Sequence, residues 1–111
     1  MPYYLLQIAY TSKGFAALVK NLQNRMEALQ PVFESLGGSI QGMWFAFGEY
    51  DLVLISQLPD NSSVAAISMA ISSGDSVKTI KTTPLMTMEE CIDAMKKAAK
   101  AGYQPPQAIV I

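Results

Sequence analysis

Histidine is absent from all 111 residues of this chain. That absence removes every histidine-based nucleophile triad, the usual zinc-ligand sets and a histidine-ligated haem, so no metal and no cofactor are expected. The single cysteine, Cys91, cannot close an internal disulfide, which agrees with a reducing compartment. Charge is also scarce. Asp, Glu, Lys and Arg make up 15% of the chain, against about 25% in an average domain. Eight basic and nine acidic residues leave a net charge of −1. No basic run or stripe exists, so nucleic acid is not an expected partner. No apolar run is long enough to span a bilayer, and Met1-Pro2-Tyr3-Tyr4 lacks the charged start of a secretory leader. The chain therefore reads as cytoplasmic, with no membrane partner.

What is abundant is apolar surface: 50% of the residues are hydrophobic. A chain of this length forms one domain, assigned to residues 1–102 with an extended tail at 103–111. A lone small domain has too little interior to hide such a fraction. Composition by itself thus predicts a homodimer or higher oligomer.

Tyr3 to Tyr10, aromatic and aliphatic, reads as the first strand. Ser12 is a candidate helix cap. From there Phe15, Leu18, Val19, Leu22, Met26, Leu29, Phe33 and Leu36 recur at three-four spacing and define one helical face, which Pro31 should kink or divide. Gly37-Gly38 ends that segment. Ser39 to Phe47 and Asp51 to Leu58 read as a hairpin. A two-residue Gly48-Glu49 loop suits a type II′ turn, with a longer loop as the alternative if Tyr50 and Asp51 lie outside the ladder. Pro59-Asp60-Asn61-Ser62 starts a second helix that turns Val64, Ile67 and Ile71 inward. Val77 to Leu85 is the fourth strand. Thr87-Met88-Glu89-Glu90 is a capping box opening a third helix, whose apolar stripe includes Met88, Cys91, Ile92 and Met95. Cys91, on that apolar stripe and near no histidine, is read as core. Gly102 stops this helix, and Ala108 to Ile111 are read as a short edge strand available to a neighbouring subunit.

The order β-α-β-β-α-β plus a closing helix predicts an α+β, ferredoxin-like domain. Its four-stranded antiparallel sheet has strand order 4-1-3-2 with helices on one face. Strands one, two and three are apolar on both parities: Leu6 and Ile8 against Leu5 and Ala9, Leu52 and Leu54 against Val53 and Ile55, and Ile40 and Trp44 against Met43, Phe45 and Phe47. A half-solvated sheet would alternate. The face without helices needs a cover, and the simplest is the same face of a second copy.

Tyr10-Thr11-Ser12-Lys13-Gly14, Arg25, Gly37-Gly38, Gly48-Glu49-Tyr50-Asp51, Pro59-Asp60 and Val77-Lys78-Thr79 stand in the order of the GYD domain family, which the chain resembles from about Tyr3 to Met95. That family is named for a Gly-x-Tyr-Asp segment, here Gly48, Tyr50 and Asp51. The resemblance implies the dimeric α/β-barrel fold, in which two ferredoxin-like subunits pack sheet to sheet. It implies no particular activity, because such barrels serve cofactor-free monooxygenases, lactone isomerases, haem enzymes and ligand sensors alike.

The residues with chemistry to offer are few. Asp51 is the best candidate for a general base, with Tyr50 orienting a ligand. Its structural alternative is to accept backbone N–H groups in the hairpin. Arg25, the one arginine, is suited to hold a carboxylate or phosphate, or to pair with Glu49 or Asp51. Tyr10, Trp44 and Phe45 are candidate aromatic walls, and Thr11 and Thr79 candidate hydroxyl donors. Thr79 and Thr82 have opposite strand parity and should not share a pocket. Pro2 as an N-terminal amine base is disfavoured, since nothing else resembles the enzymes that use one. Three functions fit these residues: a homo-oligomeric small-molecule-binding module, a cofactor-independent isomerase or monooxygenase acting on an apolar molecule, and a bare oligomerisation domain. The leading reading is the binding module, its pocket between sheet and helices or at the dimer seam.

Overall fold

The computed structural model describes residues 1–107; the segment 108–111, read above as an edge strand, lies outside the described residues. The elements in chain order are β1 (Tyr3–Tyr10), α1 (Ser12–Lys20), α2 (Arg25–Ser35), β2 (Ser39–Phe45), β3 (Leu52–Gln57), α3 (Asn61–Ser72), β4 (Val77–Leu85) and α4 (Met88–Ala99). All strand pairs are antiparallel. The sheet order is β2-β3-β1-β4, which is the expected 4-1-3-2 read from the other edge.

Even-numbered residues of β1 and β3 form the core. Tyr4, Leu6, Ile8, Leu52 and Leu54 are almost fully buried beneath Phe33 and Leu29 of α2 and Ile67 and Val64 of α3. Each such aliphatic side chain removed from water contributes roughly 1.5–3 kcal/mol. The inward direction expected for Val64, Ile67 and Ile71 therefore holds, with Ile71 partly buried at the rim.

The first helical segment is divided, but not at Pro31. The break falls at Asn21–Asn24, where the Asn24 side chain accepts the Met26 N–H and starts a new helix. Asparagine favours such caps over helix interiors. Pro31 sits inside α2, held between the buried anchors Leu29 and Phe33. The break also interrupts the apolar face predicted across it. Leu29 and Phe33 are buried, whereas Val19 and Leu22 are exposed. Gly37 ends the second piece at φ +81°, a conformation costly for residues with a Cβ.

Two bulges decide what faces where. In β2 the register shifts between Ile40 and Gly42, so that Ile40 pairs with Ser56 and Gly42 with Ile55. The extra residue flips every later side chain. Ile40 is buried under the helices, while Trp44 pairs with Val53 on the opposite face. The shared parity expected for Ile40 and Trp44 fails for this reason. The Trp44 indole instead lies across Gly42, in the space a side chain there would fill. In the β1–β4 pair, Ala9 faces Thr79 but Tyr10 faces Val77, leaving Lys78 as the extra residue. Val77, not the exposed Lys78, thereby meets the helix layer.

The β2–β3 connection is longer than a two-residue turn. Residues 46–51 lie outside the ladder, closed by Ala46 N–H donating to the Asp51 carbonyl at 2.8 Å. Gly48 has no positive φ, so the type II′ turn does not form.

Helices α1, α2 and α3 cover one face of the sheet. The other carries Leu5, Val53, Ile55 and Trp44, none of them buried. Helix α4 has its capping box, Thr87 with Glu90, but none of its residues is buried. Met88, Ile92 and Met95 are exposed and Cys91 is partly so. The reading of Cys91 as core is thus corrected: the stripe is amphipathic, but no element among the described residues buries it. The radius of gyration, 18.6 Å, exceeds the roughly 13 Å of a compact domain near this size, as a projecting helix requires. No helix among the described residues is long and apolar enough to cross a membrane.

Candidate functional site

The mouth of the helix layer lies where β1 ends and β4 begins. Thr11 caps α1 by accepting the Gly14 N–H, and its hydroxyl donates to the Asp75 carbonyl at 2.8 Å. The Thr11 N–H donates to the Ser76 carbonyl. These bonds draw α1 so close to the β4 approach that a Cβ on Gly14 would collide with the Ser76 carbonyl oxygen. An exposed Lys13–Asp75 ion pair, 2.6 Å apart, adds an outer stitch.

This closeness frames a cleft of about 420 Å³ between α1, α2 and α3. Leu18, Leu29, Val32, Ile71 and Val77, with Ala17 and Ala70, make its apolar wall, and Gly14, Gln23, Ser73, Gly74 and Ser76 complete its rim. Among the described residues only two titratable side chains line it, Tyr10 and Arg25. Tyr10 is 9% exposed, and its ring meets Phe15 edge to face with centroids 5.5 Å apart. Burial pushes the Tyr10 phenol above its ordinary range. The nearby Arg25 guanidinium pulls the other way, and the Asp51 carboxylate adds to the rise. Tyr10 is therefore a neutral hydrogen-bonding group across the physiological range.

Arg25 begins α2, directly after the Asn24 cap. Its Nη1 donates to Gln23 Oε1 at 2.7 Å, while its Nε is buried without a partner. Among the described residues Arg25 makes no ion pair, so within the subunit it pairs with neither Glu49 nor Asp51; a pairing across the dimer remains an expectation. The same arginine lines a second groove of about 340 Å³, walled by Met26, Met43, Trp44, Phe45 and Leu52 at the β2 edge. A small void beneath the guanidinium touches Tyr10, Leu29 and Val77. Arg25 is thus the partition between two apolar hollows.

The structure brings Tyr10 and Arg25 together in the cleft and sets Trp44 and Phe45 on the far side of Arg25. It does not bring in the rest. Asp51 Oδ2 accepts the Tyr10 backbone N–H at 2.9 Å and lines neither hollow; it takes a backbone donor, as the structural alternative held, but from β1 rather than from the hairpin. Glu49 and Tyr50 stay in the hairpin loop outside both hollows, and Thr11 is committed to backbone bonds. Thr79 is exposed, while Thr82 faces the helix layer and meets Ser68 at 3.1 Å, so the two do not share a pocket. Sequence reasoning missed Gln23 as Arg25's neighbour, assigned Leu18, Leu29 and Ile71 to packing alone, and gave Val77 no place in a pocket. Nothing in periodicity separates a core residue from one at the rim of a cleft.

A sheet of this order with helices on one face defines a ferredoxin-like α+β domain, and the sequence comparison is more specific. The GYD domain family matches residues 4–95, and the chain belongs to that family. A Thermus thermophilus protein named glutamine synthetase and cystathionine beta-lyase binding protein is 29% identical over 80 residues, covering 72% of this chain and 84% of that one. Among solved structures, one described as an FFRP superposes with a TM-score of 0.54 at 11% identity, over 78% of this chain and 100% of that one. TTHA0845, also from Thermus thermophilus, does so with 0.50 at 19%, over 78% and 95%. At these identities the structural likeness is one of fold.

Proposed function

We propose that this protein is a small-molecule-binding module that works as a homodimer, its ligand held in the cleft at Tyr10 and Arg25. The observation that carries the reading is Arg25 itself. A guanidinium without an ion pair among the described residues, against an apolar hollow of ligand size, is an arrangement that folding alone does not reward. Binding is favoured over catalysis because, among the described residues, the cleft pairs a phenol and a guanidinium with no carboxylate base. The dimer is supported by the unburied Leu5, Val53 and Ile55 on the face opposite the helices. A partner seated there leaves the cleft open, since the cleft lies in the helix layer.

The test is amide and methyl chemical-shift mapping with small apolar molecules. Perturbations confined to Tyr10, Leu18, Leu29, Ile71 and Val77 are expected. Binding that maps only to the sheet face, or no binding, sinks the reading.

A second reading, docking on a larger enzyme, is favoured by the unburied Met88, Ile92 and Met95 stripe of α4. The name of the Thermus relative points the same way. Titration of purified glutamine synthetase or cystathionine β-lyase, with a Met88→Ser/Ile92→Ser/Met95→Ser variant as control, tests it. Binding lost in the variant supports the docking role, and binding unchanged in it rules the stripe out.

A further inference from the structure

The polar and apolar parts of the cleft are unequal in an informative way. Its charged equipment is one guanidinium, with no second cation among the lining residues. The bulge at Lys78 contributes to this by setting Val77, rather than the lysine, against Tyr10. One positive charge matches a monoanion better than a phosphate, which carries nearly two charges at neutral pH. Among the described residues no carboxylate lines the cleft either; Asp51 is occupied with the Tyr10 N–H, and Asp75, beside the rim, with Lys13. A ligand ammonium would enter without an anionic partner, at a desolvation cost that apolar walls do not offset.

The Arg25 side chain shows where an anion would sit. Nη1 holds the amide oxygen of Gln23, while Nε, on the other edge of the guanidinium, is buried and unsatisfied. Gln23 is exposed, lies in the connector between α1 and α2, and is not part of either helix. Its Oε1 is a neutral acceptor standing where a carboxylate oxygen would make a stronger, charge-assisted bond. Displacing it costs little, because an exposed glutamine regains its hydrogen bonds from water. The neutral Tyr10 hydroxyl beside the guanidinium can donate to the same anion.

We infer that the cleft takes the monoanion of an apolar carboxylic acid lacking an α-amino group, its carboxylate on Arg25 in place of the Gln23 amide oxygen and its body against Leu18, Leu29, Ile71 and Val77. This inference rests on the reading of the cleft as the ligand site and assigns that site its chemistry.

Three probes of similar shape test it by calorimetry and chemical-shift mapping: 3-phenylpropanoate, 3-phenylpropanamide and L-phenylalanine. The expected result is that the acid binds more tightly than either of the others by about tenfold or more, the effect of one charge-assisted hydrogen-bonded pair. Arg25→Met should reduce the acid to the level of the amide. Arg25→Lys, which keeps the charge but loses the fork, should fall between, and it serves if the methionine variant does not fold. Gln23→Ala should tighten acid binding by a few-fold, since it removes the competing acceptor. Equal binding of acid and amide in the wild type overturns the inference but leaves the cleft as a ligand site, provided the shifts map there. So does an acid preference that survives both arginine variants, or phenylalanine binding as well as the acid. No cleft shift with any probe overturns the inference together with the reading beneath it.

Discussion

Asp51 Oδ2 accepts the backbone N–H of Tyr10 at 2.9 Å. The bond forms where the β1–β3 ladder has run out: the last paired residues are Ile8 and Leu52, and Asp51 N–H donates to the Ile8 carbonyl at 2.8 Å. The next donor along β1, Tyr10 N–H, has no backbone partner on β3, and a side chain supplies one. The acid of the family's Gly-x-Tyr-Asp segment thus holds the strand end that carries the Tyr10 ring into the cleft. Asp51 itself lines neither hollow.

Replacing Asp51 separates these roles. Asp51→Asn keeps an acceptor oxygen and should stay within about 1 kcal/mol of wild type. Asp51→Ala leaves the Tyr10 N–H unpartnered and should cost about 1–3 kcal/mol. Urea denaturation measures both. Equal stability of the alanine variant and wild type would remove the assigned role.

Gly14 lies against the Ser76 carbonyl. Gly14→Ala should push α1 off the start of β4, lowering stability by about 1–3 kcal/mol and disturbing the cleft rim. A thermal scan and chemical shifts at Ser76 and Val77 check this; an alanine variant as stable as wild type contradicts the close approach.

Leu5 and Ile55 are paired across β1 and β3 on the face without helices. If that face is the dimer seam, Ile55→Lys should weaken association by about thirtyfold or more, as loss of a central interface residue does. It should not reduce monomer stability comparably. Sedimentation equilibrium at micromolar concentration reads the difference. A dimer undisturbed by Ile55→Lys places the seam elsewhere.

Alkaline pH tests the burial of Tyr10. Burial raises its phenol, with Arg25 opposing and Asp51 reinforcing the rise. The folded state then keeps a proton that the unfolded chain releases at about pH 10. A group whose folded value is raised contributes stability that is complete below the unfolded value and fades as pH climbs through the folded one. The unfolding free energy of wild type should therefore fall above about pH 10, and Tyr10→Phe should show a shallower fall. Parallel pH curves for the two proteins would place Tyr10's hydroxyl in water.

Much of the architecture was readable because local chemistry and global fold agree. Strand β4 follows its β-branched run, and Asp60 and Thr87 cap α3 and α4 as their side chains allow. Errors arose where one backbone irregularity outweighs a pattern. The bulge at Gln41 sends Ile40 and Trp44 to opposite faces, and the Asn24 cap divides a helix that Pro31 was expected to divide. The stripe of α4 shows a third kind of failure. Amphipathic spacing tells which residues share a face, but not whether the same chain supplies the surface that covers it.

The order of residues by itself decided the element types, the antiparallel sheet and the excess of apolar surface, because these depend on side-chain type and on spacings of two or three to four along the chain. Only the tertiary structure decided that Arg25 meets Tyr10 rather than Asp51, and that Asp51 bonds to backbone. Those outcomes depend on where two strands stop pairing and on which residue a bulge turns inward. Both are set by packing between segments far apart in sequence.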